Sequence, residues 1–459
     1  MPTIWEEFGF MESPYRNTPL EPTADDYRLF APRIGSDEEQ FLSAMDRKNR
    51  AVVIVSGNIG IGKTSFVNAQ QHILATEPPT GMPKLIPSVS SSCPDKGDSR
   101  ESLARRFVFD AMVNIERYCK LSKIRIPKPC IELRRAFFST VPEESGFQYT
   151  LAGTGWGRTI TPPRINDVTL EMWRDILENL AGTARKECSV DGIVVCVENA
   201  ETIELDVLAD FLMSYRDTLF AIDGIWWVII GQSRLYQELD RFNRKISQRI
   251  DAAIELAHFT SEEFHDLIQR RIQVYRNKAD AISPMPPQIH DILFRAARGE
   301  IRFVLDTANK LFDAVISRVR DDVRRRLTGR AAPEVMAPLL KQAIQNHLIE
   351  KQIPEKFALS TLREQVKGQL DDNALLDTLL RSLPADKEDA IRSSMFKRYG
   401  YGDATEFTGE MLEQLLREGM LARSGIGKSA TYGLKGFAWI ARELERREHR
   451  APVGPSEPA

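Results

Sequence analysis

Three unbroken runs of apolar residues occur in the first half of the chain, each next to a stretch with helical spacing. The runs cover residues 51–55, 192–197 and 225–230 and are rich in Val and Ile. An apolar run without polar alternation is typical of a strand buried on both faces, as in a parallel sheet covered by helices. A further strand is predicted over residues 84–89, where Pro87 would confine it to an edge or a bulge. The pattern predicts an α/β fold.

Predicted helices lie between these strands, where apolar residues recur every three or four positions. They cover residues 37–49, 64–76, 99–119, 169–186 and 205–219. Segment 145–168 has glycines among aromatic residues and threonines, and it is predicted to be an inserted hairpin or a mobile loop. From about residue 260 the spacing is helical until roughly the last 40 residues, so a domain boundary is expected there.

A phosphate-binding loop follows the first apolar run. It reads Gly57-Asn58-Ile59-Gly60-Ile61-Gly62-Lys63-Thr64, a complete G-x-x-x-x-G-K-S/T pattern, and Ser65 continues it into a helix. Glycines permit the close approaches with which such a loop wraps a phosphate, and the helix N-terminus faces the anion. Lys63 is expected to reach the β- and γ-phosphates, and Thr64 to offer its hydroxyl to Mg²⁺. The sequence therefore predicts binding of ATP or GTP, and a Gly-rich turn before a helix is the alternative.

An acidic residue at the end of a neighbouring strand is the second requirement of such a site. Run 192–197 is followed by Glu198-Asn199, with Glu201 close behind. Glu198 is predicted to hold the metal, and a solvent-exposed carboxylate at a strand end is the alternative. Asn199, at the position where ATPases often place a catalytic Glu, can orient water but cannot take its proton. Slow hydrolysis, or hydrolysis through Glu201, is therefore predicted.

Polar residues also follow run 225–230. Either Gln232 or Ser233 is a candidate to lie beside the γ-phosphate, because the sites of open α/β sheets lie at the carboxyl ends of strands. The alternative for each is a polar strand end that meets solvent.

The order of these motifs resembles that of the AAA+ ATPases, especially the origin-recognition group and the related STAND-like ATPases of prokaryotes. Those families share a P-loop, a Walker B strand, a polar sensor at the tip of the next strand, an arginine segment before a short strand, and a Gly-x-x-Arg-like sensor in a helical lid. Residues 241–249 match the arginine segment, and Gly299-Glu300-Ile301-Arg302 matches the last motif. The resemblance covers about residues 33–314.

This resemblance implies ATP and Mg²⁺ as ligands and assigns roles to two arginines. Arg249 would act as an arginine finger on the ATP of a neighbouring subunit, and Arg302 would contact phosphate in cis. A solvated helix face is the alternative for Arg241, Arg244 and Arg249. Glu198-Asn199 departs from the Asp-Glu of the family. This difference argues against fast ATP hydrolysis, and it does not change the prediction that nucleotide binds.

The chain is thus predicted to be a P-loop NTPase parallel sheet with an AAA+ helical lid and a helical, winged-helix-like C-terminal domain. The predicted domains are an N-terminal arm over 1–35, the ATPase core over 36–258, the lid over 259–330, the C-terminal domain over 331–446 and a disordered tail over 447–459.

The C-terminal region outlines a winged helix: an amphipathic helix over 408–418, then two short strands around the basic turn 425–428. In that arrangement the helix would lie in a DNA groove, with Arg423 and Lys428 near phosphates. The acidic character of the helix weakens direct base reading, so protein contact or packing on the lid is the alternative. A denser basic patch covers residues 318–330, as a DNA surface or as a solvated helix face.

Composition limits the partners. A formal net charge of −3 argues against coating nucleic acid or anionic membrane with the whole surface, so any DNA contact must be local. The five cysteines show no C-x-x-C spacing, which is typical of reduced, non-ligating thiols in a cytoplasmic protein. We find no signal peptide and no apolar stretch of about 18 to 20 residues, and we expect a soluble protein that does not contact a membrane.

The sequence therefore predicts an AAA+ type ATPase that self-associates and works as an ATP-dependent assembly or switch, with DNA or a DNA-bound partner as its target. The rival interpretation is a STAND-like signalling NTPase that holds nucleotide as a latch and contacts protein only. A metabolic kinase is disfavoured by the long helical C-terminus.

Overall fold

The computed structural model describes residues 4–138 and 168–326, apart from 47–48, 90, 96, 279–280 and 282. Beyond residue 326 it describes only the short stretches 342–343, 346, 357–358, 361, 391–392, 416–417, 419–424 and 431–442. The chain divides into two compact units. The core unit is Thr18–Ala257, and the second unit consists of Met1–Asn17 together with His258–Ala459.

A five-stranded parallel sheet forms the centre of the core unit, in the order β2-β3-β4-β1-β5. Its strands are β1 (Ala51–Ser56), β2 (Leu85–Ile86), β3 (Gly192–Val197), β4 (Ile225–Gly231) and β5 (Ala252–Glu255). Every residue of β1, β3 and β4 is buried, as the unbroken apolar runs predict. The short β2 lies at an edge, next to Pro87. The predicted α/β parallel sheet is confirmed.

Helices cover both faces of this sheet, and most begin within a residue of the predicted position. They are α2 (Ala24–Tyr27), α3 (Asp37–Met45), α4 (Lys63–Thr76), α5 (Arg100–Leu121), α6 (Lys128–Phe138), α7 (Leu170–Glu187), α8 (Leu205–Arg216), α9 (Leu235–Phe242) and α10 (Arg244–Ser247). The helix predicted over 205–219 ends early at Arg216, before a short 3₁₀ turn over Leu219–Ala221. Helices α2, α6, α9 and α10 were not predicted.

Aromatic side chains fill the space between the sheet and its helices. Trp227 of β4 packs edge-on against Phe107, with ring centroids 5.1 Å apart, and against Phe220 at 5.2 Å. On the other face, Trp226 donates from Nε1 to the Met45 carbonyl oxygen at 3.0 Å. Each buried aromatic of this kind stabilises the fold by about 1.5 to 3 kcal/mol.

The second unit contains both ends of the described chain. Its helices include α1 (Ile4–Glu7), α11 (Ser261–Tyr275), α12 (Pro287–Ala297) and α13 (Ile301–Arg326), and residues 436–442 are also helical. The N-terminal segment packs among them: Trp5 stacks on Phe312 with centroids 4.3 Å apart, and the Tyr15 hydroxyl lies 2.9 Å from Nε2 of His290. Burial lowers the pKa of His290 to about 4. The domain bounds predicted from the sequence, including the 1–35 arm, stay a prediction.

A small antiparallel sheet of order β6-β8-β7 also belongs to the second unit. Its strands are β6 (Ile391–Arg392), β7 (Leu421–Ser424) and β8 (Thr431–Leu434). Strands β7 and β8 occur where the winged-helix outline predicts them, and Arg423 is exposed on β7. The described residues leave out most of the predicted helix 408–418 and the whole turn 425–428 with Lys428, so the winged helix stays a prediction. Segment 145–168, except for its last residue, and the side chains of the 318–330 patch also lie outside the described residues.

All five cysteines are free thiols, and all but Cys93 are buried. The Sγ atoms of Cys119 and Cys188 lie 3.6 Å apart, and burial raises the pKa of Cys188 and of Cys130 to about 12. In the part of the chain that the structure describes, no helix has the length and apolarity needed to cross a membrane.

Candidate nucleotide site

The phosphate-binding loop lies at the carboxyl edge of the sheet, between β1 and α4. Gly60 and Gly62 have φ of +74° and +93°, a region that favours glycine. A Cβ at Gly57 would come within 3.2 Å of the Leu256 carbonyl oxygen. At Gly62 a Cβ would meet no protein atom within 4 Å, so the loop opens outward directly before the first turn of α4. Asn58 and Ile59 are exposed at the tip of the loop.

Lys63, the first residue of α4, is folded over its own loop. Its Nζ donates to the Gly57 carbonyl oxygen at 2.9 Å and to the Asn58 carbonyl oxygen at 3.1 Å. These two bonds hold an ammonium group beside the N-terminus of α4, where the helix dipole also favours an anion. A phosphate bound there would replace the two carbonyl oxygens as the partners of Nζ.

Thr64 and Ser65 continue the first turn of α4 and are both half-buried. The Ser65 hydroxyl accepts a hydrogen bond from the Leu20 N–H at 3.1 Å, and Asn68 Nδ2 donates to the Leu20 carbonyl oxygen at 2.8 Å. Ser65 therefore holds the chain near Leu20 against the P-loop helix, and Thr64 remains the predicted hydroxyl ligand for a metal.

A buried arginine, which the sequence did not single out, is hydrogen-bonded to the loop. Arg33 donates from Nη2 to the Ile61 carbonyl oxygen at 2.7 Å and from Nη1 to the Ala257 carbonyl oxygen at 2.6 Å. Its own backbone N–H donates to Oε1 of Glu38 at 3.1 Å. Arg33 thus ties the P-loop to the segment that follows β5.

Glu198 lies immediately after β3, where the sequence places the metal-binding acid. Its backbone N–H donates to the Ser92 carbonyl oxygen at 2.9 Å, so the segment after β2 runs beside it. Burial raises the pKa of Glu198, and a hydrogen bond from the Ser91 side chain acts in the opposite direction. A desolvated carboxylate of this kind is a good ligand for a cation. Ser91 is a second residue that the sequence did not single out, although its serine-rich run follows a predicted strand.

Asn199 has a left-handed backbone, with φ 49° and ψ 47°, and its side chain is exposed. Asparagine tolerates this conformation better than glutamate does, which gives a backbone reason for the residue type at this position. The next acid, Glu201, has a buried Oε2 without a hydrogen-bond partner among the described residues.

The two predicted sensor residues at the tip of β4 have different surroundings. Gln232 is exposed, whereas the Ser233 hydroxyl donates to Oε1 of Glu255 at the end of β5. Glu255 was not singled out, although it is the last residue of a short strand, much as Glu198 directly follows one. Ser233 is therefore engaged within the sheet edge, and Gln232 is the freer candidate to meet a ligand.

The predicted arginines occupy surface positions in both units. Arg241 and Arg244 are exposed on α9 and α10, and Arg249 is half-buried in the turn after α10. A hydrogen bond from Arg216 lowers the pKa of Asp217, and the positive charge of Arg249 acts in the same direction to a smaller extent. Arg302 is exposed at the second position of α13, in the second unit. The roles of Arg249 and Arg302 stay predictions.

The residues at this edge of the sheet fit a magnesium nucleotide. Lys63 and the α4 N-terminus suit phosphate, and the Thr64 hydroxyl and Glu198 carboxylate are oxygen ligands of the kind that Mg²⁺ prefers. The outward-opening backbone at Gly62 leaves room for an anion beside these groups.

Several solved structures are similar to this chain. An ORC2 protein of Aeropyrum pernix in ADPNP–ADP complexes is 11% identical, with 92% of this chain and 98% of that chain covered and a TM-score of 0.37. A Walker-type ATPase of Pyrococcus abyssi is 10% identical over 94% and 99%, with a TM-score of 0.41. Cdc6p from Pyrobaculum aerophilum is 14% identical over 93% and 99%, with a TM-score of 0.35. No protein-family model matches the chain, and no curated protein matches it.

Similarity at this level says nothing about ligand or activity, so the site rests on its own residues. On one parallel sheet the chain carries a P-loop after β1, an acid after β3 and a polar tip after β4, and helices α11–α13 follow in sequence. The chain therefore has the parallel sheet, and the P-loop between a buried strand and a helix, that the order of its motifs predicts.

Proposed function

We propose that this protein is an AAA+ type ATPase that uses ATP binding and slow hydrolysis as an assembly switch. The observation that carries the proposal is the P-loop itself: Lys63 Nζ is held over the loop carbonyls at the N-terminus of α4, with the open backbone of Gly62 beside it. A lysine and a helix N-terminus that converge on such a space are a site for phosphate.

Each side chain has a defined task in this proposal. Lys63 and the N–H groups of the loop bind the phosphates, while Thr64 and Glu198 hold Mg²⁺, which neutralises charge on the phosphate oxygens. Asn199 orients water without accepting its proton, so turnover is slow. Arg249 acts on the nucleotide of a second copy of the chain, and Arg302 contacts phosphate within one copy. Self-association under ATP control follows from this division.

Lys63→Ala tests the nucleotide site. Calorimetric titration with ATP and Mg²⁺ is expected to show binding to the wild type and none to the variant. The far-UV spectrum should stay unchanged, because Lys63 is only half-buried and lies at the end of a loop. Lys120→Ala, at an exposed position near the end of α5, is the matched control and should bind ATP like the wild type. Equal ATP affinity in the Lys63 and Lys120 variants would refute the proposal.

The target is proposed to be DNA or a DNA-bound partner, reached through Arg423 and the basic residues of 318–330. A STAND-like latch that contacts protein only is the rival, and Asn199 in place of a catalytic acid favours it. Titration of duplex DNA over a series of salt concentrations separates the two, because phosphate contacts give an affinity that falls steeply with salt. No binding at low salt, with ATP or ADP present, would favour the latch.

A further inference from the structure

The Glu255 carboxylate joins the ends of three strands. Glu255 ends β5 and lies opposite Ser56, the last residue of β1, in the parallel register. Its Oε2 accepts from the Ser56 hydroxyl at 2.5 Å and from the Arg234 backbone N–H at 3.1 Å, and its Oε1 accepts from the Ser233 hydroxyl. One side chain therefore connects β5, the end of β1 and the loop after β4.

Both connected positions adjoin the nucleotide site. Ser56 directly precedes Gly57, whose carbonyl oxygen accepts from Lys63, and Ser233 directly follows Gln232. Ser56 is buried, so the link reaches the base of the P-loop. On the other side, Arg234 has a left-handed backbone with φ 69° that precedes α9, and the bond to its N–H helps to hold that unfavourable turn.

The chemistry of the contact calls for a carboxylate. Three donors converge on two oxygens, and every oxygen of a carboxylate is an acceptor. A glutamine has one acceptor oxygen, and its NH₂ group would face a hydroxyl or an N–H. Substitution of Glu255 by Gln therefore keeps the size of the side chain and disrupts the convergence.

We propose that Glu255 is a positioning residue, which holds the tip of β4 in register with the base of the P-loop so that Gln232 is placed for the γ-phosphate. This inference rests on the proposed nucleotide site. Because the N–H groups of the P-loop bind phosphates that ATP and ADP share, while the tip of β4 meets only the γ-phosphate, Glu255 governs the preference for ATP over ADP.

The test compares Glu255→Gln with the wild type in calorimetric titrations of ADP and of a non-hydrolysable ATP analogue, both with Mg²⁺. The ADP affinity is expected to stay within about twofold, while the preference for the ATP analogue falls about tenfold, the size expected when a hydrogen bond to a charged group is weakened. Glu238→Gln, at an exposed position on α9, is the matched control and should keep the wild-type preference.

Ser233→Ala and the Glu255→Gln, Ser233→Ala double variant test the link itself. If the two residues act together, the double variant should lose no more of the ATP preference than Glu255→Gln alone. Losses that multiply would show independent roles and overturn the proposal. Equal losses of ADP and ATP affinity, with a lower melting temperature, would leave Glu255 a purely structural role and also overturn it.

Hydrogen exchange measured without nucleotide distinguishes a failure of the Glu255 proposal from a failure of the proposed nucleotide site. The Arg234 N–H, bonded to Glu255, should exchange about tenfold faster in Glu255→Gln, since its acceptor is weakened. Unchanged exchange would refute the link whatever the ligand. If exchange accelerates but the wild type binds neither ADP nor the ATP analogue, the link stands, and both the nucleotide site and the positioning role assigned to Glu255 are wrong.

Discussion

Nη2 of Arg33 lies 2.7 Å from the carbonyl oxygen of Ile61, so a buried arginine holds the phosphate-binding loop by a hydrogen bond to its backbone. The same group bonds to Ala257 and thereby fixes the loop to the segment after β5. The conformation of the P-loop is thus set by a residue 28 positions before it as well as by its own glycines.

Arg33→Ala is expected to lower the free energy of unfolding by about 2 to 4 kcal/mol, because the Ile61 carbonyl oxygen in a buried contact and the Ala257 carbonyl oxygen in a part-buried one both lose a charged donor. Nucleotide affinity should fall about tenfold as the loop loses its support. Chemical denaturation and ATP titration measure the two effects. Arg28→Ala, at an exposed position, should change stability by less than about 0.5 kcal/mol. Equal stability in the two variants would contradict the supporting role.

Glu198→Gln should stabilise the protein in the absence of metal, and only at higher pH. Burial raises the pKa of Glu198 in the folded state above its ordinary value of 4.5, so the ionised form is disfavoured by folding. Below that ordinary value the group is protonated in both states and the substitution gains nothing. The gain therefore develops as the pH rises through the folded-state pKa and is constant above it.

Denaturation at pH 4 and pH 7 without nucleotide or metal checks this prediction for Glu198. The same variant should hydrolyse ATP more slowly with Mg²⁺ present, because it lacks a metal ligand. An equal change in stability at both pH values would contradict the electrostatic explanation.

Asn199→Glu is expected to have two opposing effects. Glutamate in the left-handed conformation costs about 1 kcal/mol of stability, and it supplies a base that should raise the rate of ATP hydrolysis. Asn199→Gly is the control for the backbone: it removes the strain and supplies no base, so stability should not fall and hydrolysis should stay slow. A rate increase in the glycine variant would trace the effect to the backbone alone.

Arg249→Ala is expected to leave ATP binding by a single copy of the chain intact and to abolish hydrolysis and ATP-dependent self-association. An arginine supplied to a phosphoryl-transfer site changes the rate by about 10³-fold or more. Arg302→Ala should instead weaken nucleotide affinity. Mixing Lys63→Ala with Arg249→Ala chains should restore activity, since some pairs combine an intact loop with an intact arginine. Inactive mixtures, or a monomer in saturating ATP, would refute action between copies.

Replacing each of two adjacent glutamines of α4 by Met is expected to change the free energy of unfolding in opposite directions. Gln70 is fully buried, and neither Nε2 nor Oε1 has a partner among the described residues, so Gln70→Met should raise the free energy of unfolding by about 1 to 2 kcal/mol. Gln71, equally buried, accepts from the Ser88 N–H at 2.5 Å and donates to Asn68 at 3.0 Å, so Gln71→Met should lower it by about 1 to 3 kcal/mol. Denaturant titration of both variants measures the pair, and equal shifts would contradict this account.

Local sequence determined the central strands and the P-loop well. Strands β1, β3 and β4 were predicted within a residue because each is buried on both faces and needs apolar residues throughout. Helix α6 was missed, since its buried face consists of little more than Cys130 and Leu133. Glu255 and Arg33 were missed for another reason: their partners Ser56 and Ala257 lie about 200 residues away in sequence, and no local pattern records such contacts.

Because the second unit is built from both ends of the described chain, its assembly depends on the order of synthesis. Trp5 stacks on Phe312, which the ribosome adds about 300 residues later. At about 5 to 20 residues per second, Trp5, Phe8 and Tyr15 wait some 15 to 60 s before the helices that bury them have been made. The core unit Thr18–Ala257 is one continuous stretch that is complete before α11 emerges. These aromatic residues are thus buried only after the whole core unit has been made, and until then they are available to chaperones.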